Sequence, residues 1–214
     1  MIDPAATYPI LLPDGTPHKG TVFLARVIDH PQFAVGDFTY ASDFDPPDDW
    51  ATHLAPYLFP FSTERLTIGR FCQIAHGVRF ITASASHDAS GISTFPFPVF
   101  DAESRDGYQP DRRDTVIGHD VWLGYGALVM PGARIGNGVI VGAGSVVRGT
   151  LPDYCIATGN PAVVTRMRFE PDEITRLNAL AWWDWPVDRI TASQDALLSA
   201  DIAALIRQAQ DSAT

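Results

Sequence analysis

Aliphatic residues return along the middle of this chain at every sixth position: Ile117, Leu123, Val129, Ile135, Val141 and Val147. Gly follows four of these six, and the fifth residues of the hexads are Val121, Ala127, Ala133, Val139, Ser145 and Leu151. Ile68, Ile74 and Phe80 repeat the pattern upstream with Cys72, Val78 and Ser84 as fifth residues, and Val35-Gly36 is an isolated match. This period fits neither an amphipathic helix nor a half-buried strand. Repetition at a fixed short period marks a solenoid, and hexads mark a parallel β-helix. In such a coil the aliphatic points inward from each short strand and a small fifth residue shares the narrow interior. Gly is expected to supply the corner backbone angles.

The departures from the rhythm organise the rest of the chain. Residues 1–34 read as a leader packing on the coil, with strand-like Thr21-Val22-Phe23-Leu24. The coil domain is placed at 35–168. Within it, residues 42–65 are rich in Pro, Asp and aromatics and predict a loop with one helical turn. Hexads resume from Leu66 to about Ala85, and residues 86–115 then break the phase, because Phe80 and Ile117 lie 37 positions apart. A loop this long in a compact repeat domain is usually functional or disordered. The run Phe95-Pro96-Phe97-Pro98-Val99-Phe100 favours function. Asp153 to Arg168 predicts an exit strand and turn. Residues 169–214 form a C-terminal helical appendage: Pro171-Asp172-Glu173 opens a helix with its acids at the N-terminus. That helix ends at Trp182, Trp183, Trp185 and Pro186, and 193–209 reads as a second one. The tryptophans are expected to be packing anchors.

Composition narrows the class of partner. The 214 residues suit one main domain with appendages. A net charge of −10, from 25 acidic and 15 basic residues, argues against a nucleic-acid surface or an anionic membrane. The first 30 residues carry no basic start followed by an apolar run, so neither a signal peptide nor a transmembrane segment is expected. With only two cysteines, Cys72 and Cys155, no disulfide framework is expected, and the cytoplasm is the default compartment.

His87 stands where the rigid coil gives way to the long excursion, in Ser84-Ala85-Ser86-His87-Asp88. A histidine held there is both anchored and accessible, and its near-neutral titration suits a general base; a surface histidine that merely opens a loop is the plainer reading. Gly142 and Ala143 offer little side chain, so an extended ligand arm could pass near the backbone, unless they serve repeat geometry alone. Arg166 and Arg168 put positive charge on the exit strand of an acidic chain, where guanidinium groups could bind phosphate or simply be solvated. Tyr40, Phe95, Phe97 and Phe100 could line an apolar acceptor cleft or form a satellite core beneath the loop.

The surrounding text is similar to a known family. Ser93-Thr94-Phe95-Pro96-Phe97, Gly107-Tyr108-Gln109-Pro110, Asp120-Val121-Trp122-Leu123-Gly124, Val129-Met130-Pro131-Gly132, Gly159-Asn160-Pro161-Ala162 and Trp182-Trp183-Asp184-Trp185-Pro186 occur in this order. From about Val35 to Ile190 the chain resembles the hexapeptide xenobiotic acetyltransferases, which include type B chloramphenicol and streptogramin A (virginiamycin) acetyltransferases. The resemblance implies a left-handed parallel β-helix that assembles as a homotrimer with active sites between subunits. It implies acetyl-CoA as co-substrate, a small-molecule acceptor, and His87 as the base that takes the acceptor's hydroxyl proton. It places Trp122 and Gly124 near the reaction centre, the pantetheine arm by Gly142 and Ala143, and the CoA nucleotide by Asn160, Pro161, Arg166 and Arg168. A backbone N–H between Trp122 and Gly124 is the candidate donor to the thioester oxygen.

No serine or cysteine is evidently paired with a base, so direct transfer is expected rather than an acetyl-enzyme. One departure stands out: Ser90 occupies the place three after the histidine where related enzymes often carry an acid, and the nearest acid is Asp88. Three readings compete. One is acetylation of a sugar or amine. Another is a non-catalytic trimeric scaffold. The last is a β-helical zinc enzyme, which His76 and His119 do not complete, since Gly124 stands where a third ligand is needed; no metal is expected.

Overall fold

The computed structural model describes residues 3–101, 103–104, 113–199 and 201–211; the Gly107–Pro110 motif lies outside them. The chain is mainly β, with parallel sheets built from hexapeptide repeats. β1 (Thr21–Phe23), β2 (Phe33–Val35), β3 (Tyr40–Ser42), β4 (Leu66–Ile68), β5 (Gln73–Ile74) and β6 (Arg79–Phe80) precede the excursion. After it come β7 (Thr115–Ile117), β8 (Trp122–Leu123), β9 (Leu128–Val129), β10 (Arg134–Ile135), β11 (Ile140–Val141), β12 (Val146–Val147) and β13 (Thr150–Leu151). β14 (Cys155–Gly159) and β15 (Ala162–Met167) close the series as an antiparallel hairpin.

The chain visits three sheets in turn. Their orders are β13-β10-β7-β4-β2, β1-β3-β5-β8-β11-β14-β15 and β12-β9-β6. Val116 pairs with Arg134, Trp122 with Ile140 and Leu128 with Val146, so one full rung takes eighteen residues, three hexads. Across the excursion the pairs are Ile68–Ile117, Ile74–Leu123 and Phe80–Val129, a separation of 49. The excursion therefore inserts 31 residues into one rung without disturbing the coil's phase. Val35 opposite Ile68 and Tyr40 opposite Gln73 give 33, so the earlier insertion adds 15.

The inward positions are where the periodicity puts them. Ile68, Ile74, Phe80, Ile117, Leu123, Val129, Ile135, Val141 and Val147 are buried, as are the fifth residues Cys72, Val78, Val121, Ala127, Ala133, Val139, Ser145 and Leu151; the exception is Ser84, exposed because the strand gives way to a 3₁₀ turn at Ala83–Ala85. Each fully buried aliphatic contributes roughly 1.5–3 kcal/mol. The insertion at 42–65 adds to this core. Its α1 (Trp50–Leu54) is capped by Asp49, which accepts from the Thr52 N–H, and Trp50, Leu54 and Leu58 join the coil interior.

The glycines that follow the aliphatics do not supply the corner angles, contrary to expectation. Gly69 and Gly118 have ordinary φ; a Cβ on Gly69 would sit 2.4 Å from the Gly118 carbonyl oxygen, so a neighbouring rung already occupies the space. The left-handed corner residue comes two positions later, where Gly can adopt it freely: Gly77, Gly126, Gly132, Gly138 and Gly144. Along one corner it is Phe38, Phe71, Asp120 and Tyr154, with Gly138 between the last two, all at positive φ. Phe38 stacks on Phe71 at 4.6 Å, Phe71 meets Trp182 at 4.9 Å, and Tyr154 meets Phe169 edge-on at 5.6 Å. This column carries the C-terminal helices.

α2 (Pro171–Leu180) starts with a capping box between Glu170 and Glu173. After a 3₁₀ turn at Trp182–Asp184 follow α3 (Val187–Ala192), α4 (Gln194–Leu198) and α5 (Ile202–Asp211). The expected single helix over 193–209 is thus two, parted at Ser199, whose hydroxyl turns back onto the Ala196 carbonyl and receives the Asp201 N–H. Trp183 and Trp185 are buried with Tyr154, Leu177, Ile190 and Leu205. Among the described residues no helix is long and apolar enough to cross a membrane.

Truncating an inward aliphatic opens a cavity that the stacked rungs cannot collapse. Leu123→Ala is expected to cost about 2–5 kcal/mol, while Arg148→Ala on an exposed turn changes stability by about 0.5 kcal/mol or less. Denaturant unfolding of the two variants checks this; equal midpoints would contradict the inward register.

Candidate active site

His87 is mounted on the coil by a buried polar brace. β6 leads into a 3₁₀ turn at Ala83–Ala85, whose Ser84 N–H donates 2.7 Å to Oε1 of the buried Glu64. Ser84 Oγ lies 2.8 Å from Ser62 Oγ, and Ser62 Oγ in turn accepts from the Phe59 N–H. Two residues past the turn, His87 is exposed, and its Nδ1 lies 3.1 Å from the Thr94 carbonyl oxygen. A carbonyl oxygen can only accept, so the proton of the neutral ring sits on Nδ1 and Nε2 presents its lone pair. Asp88 does not complete that arrangement through its Oδ1, which accepts the Ser90 N–H at 2.8 Å. The backbone of Ser90, not an acid at that place, shapes the loop.

The loop that carries His87 also carries an aromatic group. Phe95 lies 4.7 Å from Phe97 and 5.3 Å from Phe100, and all three are more than half exposed. The structure divides the four acceptor candidates, however. Tyr40 belongs to β3 in the seven-stranded sheet, whereas the loop leaves the three-stranded sheet. Tyr40 instead shares a cavity of about 230 Å³ with Trp122, which is half exposed on β8 of the same sheet.

The cofactor candidates separate by what already occupies them. A Cβ on Gly124 would meet Ala143 N at 2.7 Å and Val141 O at 2.8 Å, and one on Gly142 would meet Thr158 Cγ2 at 2.7 Å. Both glycines therefore serve rung stacking, and of this group Ala143 is the exposed one. Asn160 and Pro161 form the exposed tip of the β14–β15 hairpin. Arg166 is exposed on β15 and forms no ion pair among the described residues. Arg168 turns inward: it donates to the Gly138 carbonyl, sits 3.9 Å from Asp120 Oδ2, and lies over the Tyr154 and Phe169 rings at 5.6 and 5.4 Å. Burial pushes the Asp120 carboxyl up, and the Arg168 charge opposes that rise. The Trp122 and Gly124 amides, expected as oxyanion donors, are spent on the Val139 and Val141 carbonyls of the next rung. Ladder hydrogen bonds leave those N–H groups nothing to offer a ligand.

A polar cluster that the sequence does not announce lies beside Trp122. Asp43 is buried, with Oδ2 2.9 Å from His53 Nε2 and Oδ1 2.7 Å from His76 Nδ1. Burial pushes this carboxyl up, but hydrogen bonds from the Asp45 N–H, His53 and His76 outweigh it and hold it below the usual carboxylate range. His119 belongs to no such group. Its Nδ1 accepts the Arg70 N–H, its ring stacks on Trp183, and burial lowers its tendency to charge. Among the described residues no set of side chains converges as metal ligands.

Residues 114–149 match the family model described as bacterial transferase hexapeptide (six repeats). A chloramphenicol acetyltransferase of Agrobacterium fabrum is 38% identical over 200 residues, covering 90% of this chain and 94% of that protein. A virginiamycin A acetyltransferase of Staphylococcus aureus is 32% identical over 197 residues, covering 89% of this chain and 88% of that one. Among solved structures, a hexapeptide-repeat acetyltransferase of Vibrio cholerae complexed with acetyl coenzyme A is similar. It shows 22% identity and a TM-score of 0.41, with coverage of 67% and 68% of the two chains.

Burial also decides whether a cysteine could carry an acyl group. Cys72 is pushed up to about 12 by burial, its Sγ donating to the Gly118 carbonyl at 3.2 Å, and burial likewise raises Cys155. Only the thiolate is reactive, so at pH 8 the folded protein is expected to leave both thiols unmodified by maleimide, while the unfolded chain reacts at two. Rapid labelling of either cysteine in the native state would contradict this.

Proposed function

The chain belongs to the hexapeptide-repeat xenobiotic acetyltransferases, and from that footing we propose that it acetylates a hydroxyl of a small, largely apolar acceptor with His87 as general base. It is an acetyl-CoA-dependent acyltransferase, and acetyl-CoA is its co-substrate. The acceptor class is a xenobiotic alcohol such as chloramphenicol or streptogramin A. That choice is supported by relatives of those names along nearly the whole chain and by the exposed Phe95, Phe97 and Phe100 beside His87.

The observation that carries the mechanism is the contact of His87 Nδ1 with the Thr94 carbonyl oxygen at 3.1 Å, which leaves Nε2 to act as the base. As the acceptor oxygen attacks the thioester carbonyl carbon, Nε2 takes the hydroxyl proton. The Thr94 carbonyl holds the ring in place and stabilises the imidazolium that forms. The C–S bond breaks, the imidazolium returns its proton to the departing sulfur, and the products are the acetyl ester and CoA. Acetyl-CoA supplies the activated acyl group. Arg166 is the exposed cation for its phosphates, with Asn160 and Pro161 at the tip of the same hairpin and Ala143 along the arm. Arg168 supports this surface from beneath through Tyr154 and Phe169. The two buried thiols, one raised to about 12, support direct transfer rather than a cysteinyl intermediate.

We read the three-sheet coil as left-handed, and the working unit as a homotrimer whose sites lie between subunits. The separation of His87 from Tyr40 and Trp122 on different sheets of one chain supports this reading. In it, the base of one subunit faces the cavity of its neighbour. Two free, buried cysteines suit a reducing, cytoplasmic compartment.

His87→Ala should leave assembly and CoA binding intact while lowering turnover by about 10²–10⁴-fold. Thiol release from acetyl-CoA, with chloramphenicol, a streptogramin A and unrelated alcohols as acceptors, measures it; unchanged turnover in the variant would defeat the assignment. Arg166→Ala should raise the KM for acetyl-CoA with kcat nearly unchanged, and an unaltered KM would remove Arg166 from the cofactor site.

A further inference from the structure

The cavity shared by Tyr40 and Trp122 contains a second held imidazole. His76 lies at its edge, stacked on Phe44 at 4.5 Å and tilted against Tyr125 at 5.4 Å. Two groups meet its Nδ1: Asp43 Oδ1 at 2.7 Å and the Phe44 N–H at 3.2 Å. The carboxylate can only accept, and a lone pair facing an ionised oxygen at that distance would be repelled. Of the two, the shorter contact to the carboxylate decides: the proton is on Nδ1, and the exposed Phe44 N–H is left to solvent rather than to the ring. Asp43 is itself fixed, since Asp45 N–H also donates to Oδ1 and His53 Nε2 donates to Oδ2. His76 Nε2 is left as a hydrogen-bond acceptor with no partner among the described residues.

Two other polar groups of the cavity are already engaged. Ser42 Oγ is bonded to Thr21 Oγ1, and the Gln73 amide nitrogen donates to the Phe71 carbonyl. The volume of about 230 Å³ exceeds the roughly 150 Å³ that suffices for a benzene ring.

We propose that His76, held by Asp43, determines acceptor specificity. Its Nε2 accepts a hydrogen bond from a second donor group, a hydroxyl or amide N–H, on an acceptor whose planar apolar part lies against Trp122 and Tyr40. This rests on the acetyl-transfer reading above, in which His87 treats the reacting hydroxyl; His76 engages a different group of the same molecule. The enzyme then selects acceptors that carry at least two hydrogen-bond donors around a flat apolar body, and discriminates against monofunctional alcohols.

The test needs no turnover. Binding of benzyl alcohol and of benzyl methyl ether, which lacks the donor, is measured on the full-length protein without acetyl-CoA by ligand-observed NMR. The wild type should prefer the alcohol by about 3–10-fold, the worth of one neutral hydrogen bond. His76→Phe keeps a flat ring between Phe44 and Tyr125 and should bring the ratio to about 1. In Asp43→Asn the amide donates to Nδ1 and moves the ring proton to Nε2, so the preference should vanish or reverse. Equal binding of the probes by the wild type, binding of neither, or a preference that survives in His76→Phe would overturn the proposal. Any of these leaves the His87 reading intact, whereas a failure of acetyl transfer would leave the binding ratio as it is.

Discussion

Everything in this molecule hangs on the eighteen-residue rung, which places one buried aliphatic above another on each of three sheets. The register is specified twice over. The inward column of Ile117, Leu123, Val129 and their counterparts takes apolar surface out of water, and the glycines behind them bring backbone against backbone where no Cβ would fit. A slip of one residue would turn the core outward. Insertions are tolerated only if the chain re-enters in phase, which it does after both 15 and 31 extra residues.

Those two insertions carry most of the residues assigned to the proposed chemistry. The first brings α1 into the core and delivers Asp43 and His53 to His76; the second delivers His87 and the phenylalanine cluster. Each is tethered where it leaves the coil, by the Asp43 carboxylate in one case and by the Glu64–Ser84 brace in the other. Well-bonded loop roots on the coil thereby anchor the segments that hold the two imidazoles.

Much of this was legible in the residues and some was not. Period six is visible because each hexad repeats the same burial, and His87 is visible because it stands where the period stops. Asp43 and His76 are one insertion-bearing rung apart, 33 positions, and no local pattern reveals that offset before the strand register is known. Arg166 and Arg168 look alike in sequence. Arg166 lies within β15 and is exposed, while Arg168 stands just past the strand's end at Met167 and reaches the aromatic column at Tyr154, whose left-handed backbone could not be read from its identity. In sequence the glycines after the aliphatics read as corner residues, whereas their role is close approach, and Ser199 splits a helix that the periodicity joins.

The central claim is that a Thr94-bound His87 presents a basic nitrogen to an alcohol. A crystal structure of the assembled protein with CoA and an acceptor alcohol measures it most directly. The account predicts His87 Nε2 about 2.6–3.2 Å from the acceptor hydroxyl, with Nδ1 still on the Thr94 carbonyl. An acceptor hydroxyl seated against another residue, with His87 turned to bulk solvent, would contradict it.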